Sequence, residues 1–173
     1  MNLWQPTLHG TRITLRPIVA EDFEALFAAA SDPGIWAQHP DPLRWRRDRF
    51  EPYFAGALES GGGLTVIDNT SGAVVGSSRF YDWRPDERTV VIGYTFITRD
   101  HWGTGTNTEM KALMLAHAFR HADAVFFHVG PQNLRSQRAV DKLGARFVQV
   151  EDVLVGGVVS PRRVYRLDAP RTV

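Results

Sequence analysis

Cysteine is absent from all 173 residues, which removes disulfides, thiolate metal sites and a covalent cysteine intermediate together. No apolar run approaches the ~20 residues of a membrane span. The start, Met1-Asn2-Leu3-Trp4-Gln5-Pro6, lacks the charged head and apolar core of a secretion signal. A cytoplasmic protein with no membrane partner is the expectation. An excess of one charge is lacking as well, since 20 Lys and Arg face 19 acidic residues. That balance leaves no electrostatic footprint for general nucleic-acid binding. The densest basic run, Arg44-Trp45-Arg46-Arg47-Asp48-Arg49, is broken by an acid and reads as a solvated helix face. His117 and His121 share a helix face but have no carboxylate or thiol motif beside them, so no metal is expected. Repeats, linkers and low-complexity tracts are missing, so residues 1–173 read as one domain.

What is present is a run of short alternating and helical patterns. Thr11 to Ile18 alternates as a strand, and Ala20 to Ala30 carries Phe23, Leu26 and Phe27 at helical spacing behind Glu21 and Asp22. Ser31-Asp32-Pro33-Gly34 breaks that helix, and a second helical stretch runs from about Trp45 to Leu58 before Gly61-Gly62-Gly63 stops it. Leu64–Ile67 and Ala73–Tyr81 read as strands joined by a hairpin turn, with a third strand at Thr89–Ile97. Glu109 to His121 is helical, with Met110, Leu113, Met114 and Ala118 on one face. Ala124–Val129 reads as an interior strand, Ser136–Leu143 as a helix, and strands around Phe147–Val150 and Arg163–Leu167 close the chain. The class is α/β.

Between the third strand and the Glu109 helix lies Trp102-Gly103-Thr104-Gly105-Thr106-Asn107. A strand, a Gly-x-Gly turn and a helix start suit a phosphate, because backbone N–H groups can approach the anion at the positive end of the helix dipole. Thr106 and Glu109 match a capping box. The Gly-Lys-Ser/Thr of a P-loop is missing, and Thr108 stands where the dinucleotide fingerprint needs a third glycine.

Four pieces in order carry a family resemblance: Ile92-Gly93-Tyr94-Thr95-Phe96, the turn Trp102 to Glu109, Asn133-Leu134-Arg135-Ser136-Gln137-Arg138-Ala139, and Lys142-Leu143-Gly144. Leu15-Arg16-Pro17 with Glu21-Asp22, and Val75-Gly76-Ser77, fit more loosely. The chain resembles the GNAT superfamily of N-acetyltransferases, in particular its RimJ/RimL-like branch. The resemblance implies an acyl-CoA N-acyltransferase fold: a twisted mixed sheet of about six or seven strands, about four flanking helices, and one splayed parallel strand pair. It implies acetyl-CoA as cosubstrate in the wedge between the Ile92–Ile97 and Phe126–Val129 strands. Tyr94, Thr95, Phe96 and Ile97 would line the pantetheine, Trp102, Gly103, Thr104, Gly105, Thr106 and Asn107 the pyrophosphate, and Asn133 and Ser136 the sulfur end. The pattern departs at Asp100, Val91 and Val140, where relatives often carry Gln or Arg, Glu, and a Tyr acid.

The implied reaction is direct attack of a neutral primary amine, on a protein N-terminus or a small molecule, with a backbone N–H of Thr95 or Phe96 meeting the carbonyl oxygen. Ser136 is the candidate donor to the departing thiolate, although Asn133 and Ser136 also suit a helix cap and first turn. Candidate bases are His128, Tyr81, Asp82 and His39, with His128 equally suited to a core position. Trp36, His39 and Asp82 are candidates for the acceptor side, and Trp36, Trp45 and Trp83 are also ordinary packing residues. A non-catalytic acyl-CoA-binding or sensing domain is the alternative, and a nucleotide-binding module a third. The sequence leaves the oligomeric state open, with a homodimer among the options.

Overall fold

A computed structural model of the chain describes residues 2–155 and 158–170. Its strands are β1 (Leu8–His9), β2 (Ile13–Pro17), β3 (Gly63–Asp68), β4 (Val74–Arg84), β5 (Thr89–Ile97), β6 (Ala124–Val129), β7 (Arg146–Val155) and β8 (Val158–Asp168). They form one sheet in the order β1-β2-β3-β4-β5-β6-β8-β7. Every neighbouring pair is antiparallel except β5 with β6, which is parallel. The helices are α1 (Phe23–Ala30), α2 (Pro33–Trp36), α3 (Arg47–Glu59), α4 (Thr106–Ala118) and α5 (Leu134–Lys142). The mixed α/β class and the parallel pair are as expected. The count of eight strands exceeds the expected six or seven because β1 is only two residues long, too short to show a period.

Two apolar clusters hold the layers. One joins Met110, Met114 and Ala118 of α4 to Ile13, Leu15, Leu64, Val66 and Val125 of the sheet. The other joins Leu26 of α1, Trp36 of α2, and Phe50, Tyr53 and Phe54 of α3 to Phe96 of β5. Several sequence expectations need correction. Ser31-Asp32-Pro33-Gly34 ends α1 but also starts α2, because the Asp32 carboxylate accepts from the Gly34 amide and Pro33 fits the first helical turn. The Thr106–Glu109 capping box does not form. Gly105 is the N-cap in a left-handed conformation, φ 92°, and Glu109 turns away to accept from the amides of Thr11, Arg12 and Ile13. The closing strands run several residues beyond their expected bounds as a long β7–β8 hairpin. His117 donates to the Leu3 carbonyl at 2.8 Å and packs with His121 against Trp4.

The entry to α1 is fixed by a partly buried pair. Arg16 makes two hydrogen bonds to Asp22, whose carboxylate also accepts from the Val19 amide and the Thr65 hydroxyl. Burial alone would raise the Asp22 pKa, but these donors together outweigh it and hold it below its ordinary 3.8. A depressed carboxylate contributes stability above the unfolded pKa and loses it as pH falls through the folded one. Asp22→Ala is expected to cost about 2 kcal/mol at neutral pH, below the figure for a fully buried pair because Arg16 keeps contact with water. In thermal melts the gap between variant and wild type should close below pH 3.8, and a gap independent of pH would contradict this account.

Candidate active site

The parallel pairing of β5 with β6 lasts only from Thr89–Val91 against Ala124–Phe126. Beyond it the strands part, and the cause is visible on the other side of β5. Between Ser77 and Arg79 of β4 there are two steps, while the facing residues Phe96 to Gly93 of β5 take three. The extra residue is a β-bulge, and Tyr94 within it sits at φ 51°, a conformation unusual for a non-glycine residue. Gly76 permits the close approach behind the bulge, since a Cβ there would fall 2.2 Å from the Phe96 carbonyl oxygen. The Tyr53 hydroxyl pins the bulge from α3 by donating to the Tyr94 carbonyl at 2.5 Å.

The parted strands open a cavity of about 720 Å³, within the range of small-molecule sites. Of the expected residues, Thr95, Phe96, Ile97, Trp102, Gly103, Gly105, Asn107, His128, Asn133 and Ser136 line it, and so does Trp36. At its mouth Gly103 and Gly105 adopt φ 72° and 92°, the left-handed values that bare backbone allows, directly before the first turn of α4. Asn133 caps α5 by accepting from the Ser136 amide at 3.2 Å, which places Ser136 in the first turn facing the cavity. The capping residue and Ser136 therefore both border the cavity.

Other expected residues fall elsewhere. Tyr94 lines a second cavity instead. Thr104 is exposed and donates to the His101 carbonyl, while Thr106 is buried against it. Trp36 is 2% exposed, anchored through its indole N–H to the Ala30 carbonyl, and is as much core as wall. His39 has its Nδ1 occupied by the Asp41 amide, and burial, then Arg44, pushes its pKa down to about 3. Asp82 is exposed at φ 49° and lines neither cavity. Tyr81 is not among the residues lining the cavity; it packs behind Gly93, with its hydroxyl 3.0 Å from His128 Nδ1. Burial first, then Arg162, pushes His128 down to about 4, and burial raises the Tyr81 phenol. Both are neutral near pH 7, which suits hydrogen bonding better than proton abstraction. Val140 is buried and Val91 is core. Arg99 is committed to Asp32 rather than to the turn.

Four basic residues at the cavity were not among the expected site residues. Arg135, Arg138 and Lys142 of α5 line the cavity, with the Arg135 guanidinium 3.8 Å over the Trp102 ring. Lys111 is one of only two lysines in the chain and is 7% exposed. Its Nζ donates to Thr95 Oγ1 at 2.7 Å beneath the bulge, and no carboxylate pairs with it among the described residues. Burial alone pushes its pKa down to about 7. The signal was available: Lys111 lies on the same arc of α4 as Met110 and Met114, where a solvated lysine does not belong.

A mixed sheet opened at one parallel pair, with a left-handed Gly-x-Gly turn and a helix start beside the opening, is the architecture of an acyl-CoA-dependent transferase. The family model described as an acetyltransferase (GNAT) domain matches residues 12–146, and the chain belongs to that family. It is thus a GNAT N-acetyltransferase of the RimJ/RimL-like branch. Among solved structures, a GCN5-related N-acetyltransferase from Brucella melitensis is 22% identical with a TM-score of 0.80, over 95% of this chain and 79% of that one. A GNAT-family acetyltransferase from Bacillus anthracis is 18% identical, TM-score 0.76, covering 95% and 99%. Mycobacterium smegmatis RimJ, solved with CoA-disulfide, is 19% identical, TM-score 0.73, covering 96% and 89%. At these identities the likeness is one of fold. No curated protein matches the chain. No helix among the described residues is long and apolar enough to cross a membrane.

Proposed function

We propose that this chain transfers the acetyl group of acetyl-CoA to a primary amine by direct attack. The nitrogen–carbon bond forms as the carbon–sulfur bond breaks, and the amine proton ends on the CoA thiol. The observation that carries the reading is the cleft beyond Val91, where the bulged β5 and the Gly103–Gly105 turn face one cavity. CoA-disulfide in the Mycobacterium smegmatis RimJ structure supports the choice of cosubstrate.

In this reading the pantetheine lies along Thr95 to Ile97 and the pyrophosphate on the backbone of Trp102 to Asn107. Arg138 and Lys142 neutralise the phosphates. An amide of Thr95 or Phe96 meets the developing oxyanion. Ser136 donates to the thiolate, and the Tyr81–His128 pair fixes the polar wall opposite. Holding both reactants in one wedge supplies orientation, on the order of several kcal/mol of the barrier.

Thiol release from acetyl-CoA in the presence of peptide N-termini and small primary amines tests the reading. Turnover with at least one class is expected. Tight acetyl-CoA binding without turnover for any amine would defeat it and leave a binding domain. Ser136→Ala is expected to lower kcat by about tenfold or more while leaving acetyl-CoA affinity near wild type. An unchanged kcat would remove Ser136 from the mechanism.

A further inference from the structure

The bulge that opens the first cavity also borders a second, of about 330 Å³, on the side of Tyr94 and α3. Gly93 and Thr95 face the first cavity, and Tyr94 between them faces the second. Two arginines, one buried and one partly buried, line this second space. Arg79 of β4 is 7% exposed, and its guanidinium lies 4.1 Å over the Tyr94 ring. It donates to the Tyr53 carbonyl at 2.9 Å, but its Nε has no partner, and no carboxylate reaches it among the described residues.

Arg44 is the member of the basic run that the solvated-face expectation misplaced, for its side chain is only 13% exposed. Its guanidinium packs 5.0 Å over the Tyr53 ring and 5.4 Å over that of Trp36. Its Nε also lacks a partner. Asp41 stands 3.8 Å away, beyond hydrogen-bond length, and takes a closer contact of 3.2 Å from Arg49. His39 gives Arg44 no acceptor either. The Asp41 amide occupies Nδ1, so the neutral ring carries its proton on Nε2, the atom that faces Arg44 at 3.2 Å.

Arginine stays charged even when buried, so two such cations without full partners weaken the fold. Aromatic faces return only part of that loss. A planar guanidinium fork with free N–H groups and an aromatic backing fits a carboxylate or phosphate. Three arginines and two aspartates line the space, leaving one positive charge, which matches a monoanion better than a phosphate dianion. Burial pushes both arginine pKa values down, and at Arg44 the nearby Asp41 offsets this only in part.

We infer that this second cavity binds the carboxylate of the acceptor, so that the amine acetylated belongs to an amino acid or another amino carboxylate. The inference rests on the proposed acetyl transfer for the word acceptor, but the carboxylate site can be tested without turnover. Thermal melting of the full chain would be followed with glycine, γ-aminobutyrate and phenylalanine, each against its decarboxylated amine: methylamine, propylamine and phenethylamine. At least one carboxylate is expected to raise the melting temperature where its amine does not, and Arg79→Gln should abolish that rise. Arg44→Gln is the second variant, in case the first fails to fold. With thiol release as readout, the carboxylate member of a pair should be favoured by about tenfold or more in kcat/KM. No carboxylate-specific rise in the wild type, or a rise that survives both substitutions, overturns the inference. Preference for phosphoethanolamine over every carboxylate also overturns it. A carboxylate-dependent rise without turnover keeps the site and defeats acetyl transfer instead.

Discussion

Gly103→Asp is expected to weaken acetyl-CoA binding by about 100-fold or more. Gly103 lines the mouth of the cavity at φ 72°, and an added Cβ would touch no other atom within 4 Å. Asp tolerates left-handed backbone better than other side chains, so the fold should survive. The lost affinity has two sources. A side chain stands where bare N–H groups would approach the pyrophosphate, and its charge opposes the phosphates at the positive end of α4. Loss of charge-assisted hydrogen bonds at about 1.5–3 kcal/mol already accounts for roughly tenfold to 100-fold, and like-charge repulsion adds to it. Gly103→Asn has the same shape without the charge and should lose about tenfold less. Calorimetric titration separates the two. Affinity within about threefold of wild type for the Asp variant would remove the turn from the CoA site.

Replacing Lys111 by Met is expected to stabilise the protein, and to do so in a pH-dependent manner. The folded pKa of Lys111 is about 7 against an ordinary 10.5, so between these values the unfolded chain holds a proton that the folded chain has released. Wild-type stability therefore rises with pH across that interval and is lowest below pH 7. Met fills the same unbranched volume without an amine. At pH 6 Lys111→Met should gain on the order of 2 kcal/mol over wild type, with the advantage shrinking toward pH 10. Denaturant unfolding at several pH values reads this directly. A variant less stable than wild type at pH 6 would show that the amine holds the bulge through Thr95 strongly enough to outweigh its burial. A group retained at such cost beneath the bulged strand is expected to have a functional reason, and the acetylation rate of the same variant tests that.

The parts of this architecture that were legible in the sequence are those with local causes. Thr89–Ile97 and Ala124–Val129 are central strands of apolar, β-branched residues, and their bounds match the structure to the residue. The Gly-x-Gly turn and the Asn133 cap carry their chemistry within a few positions. What escaped depends on long-range partners. The length of the closing hairpin comes from register, which sets Pro161 opposite Asp152 although Pro and Gly punctuate that stretch. Glu109 looks like the second half of a cap but is claimed by three amides from β2 and the turn before it. Arg44, Arg79 and Lys111 look like surface cations until the elements around them close. Arg79 stands in a strand buried on both faces from Val75 to Phe80, and its side chain meets open space at the second cavity.

The short parallel ladder gives the sheet an edge in its own middle. Past Val91, β5 turns a row of backbone groups toward open space rather than toward β6. Pantetheine has two amides spaced along a flexible chain, so in the proposed complex the cosubstrate serves as a removable length of strand. A cosubstrate used in that way stabilises only the folded state, by about 2.7 kcal/mol at a hundred times its dissociation constant. The lifetime of this protein would then follow the acyl-CoA supply around it, with abundance falling when the metabolite runs short.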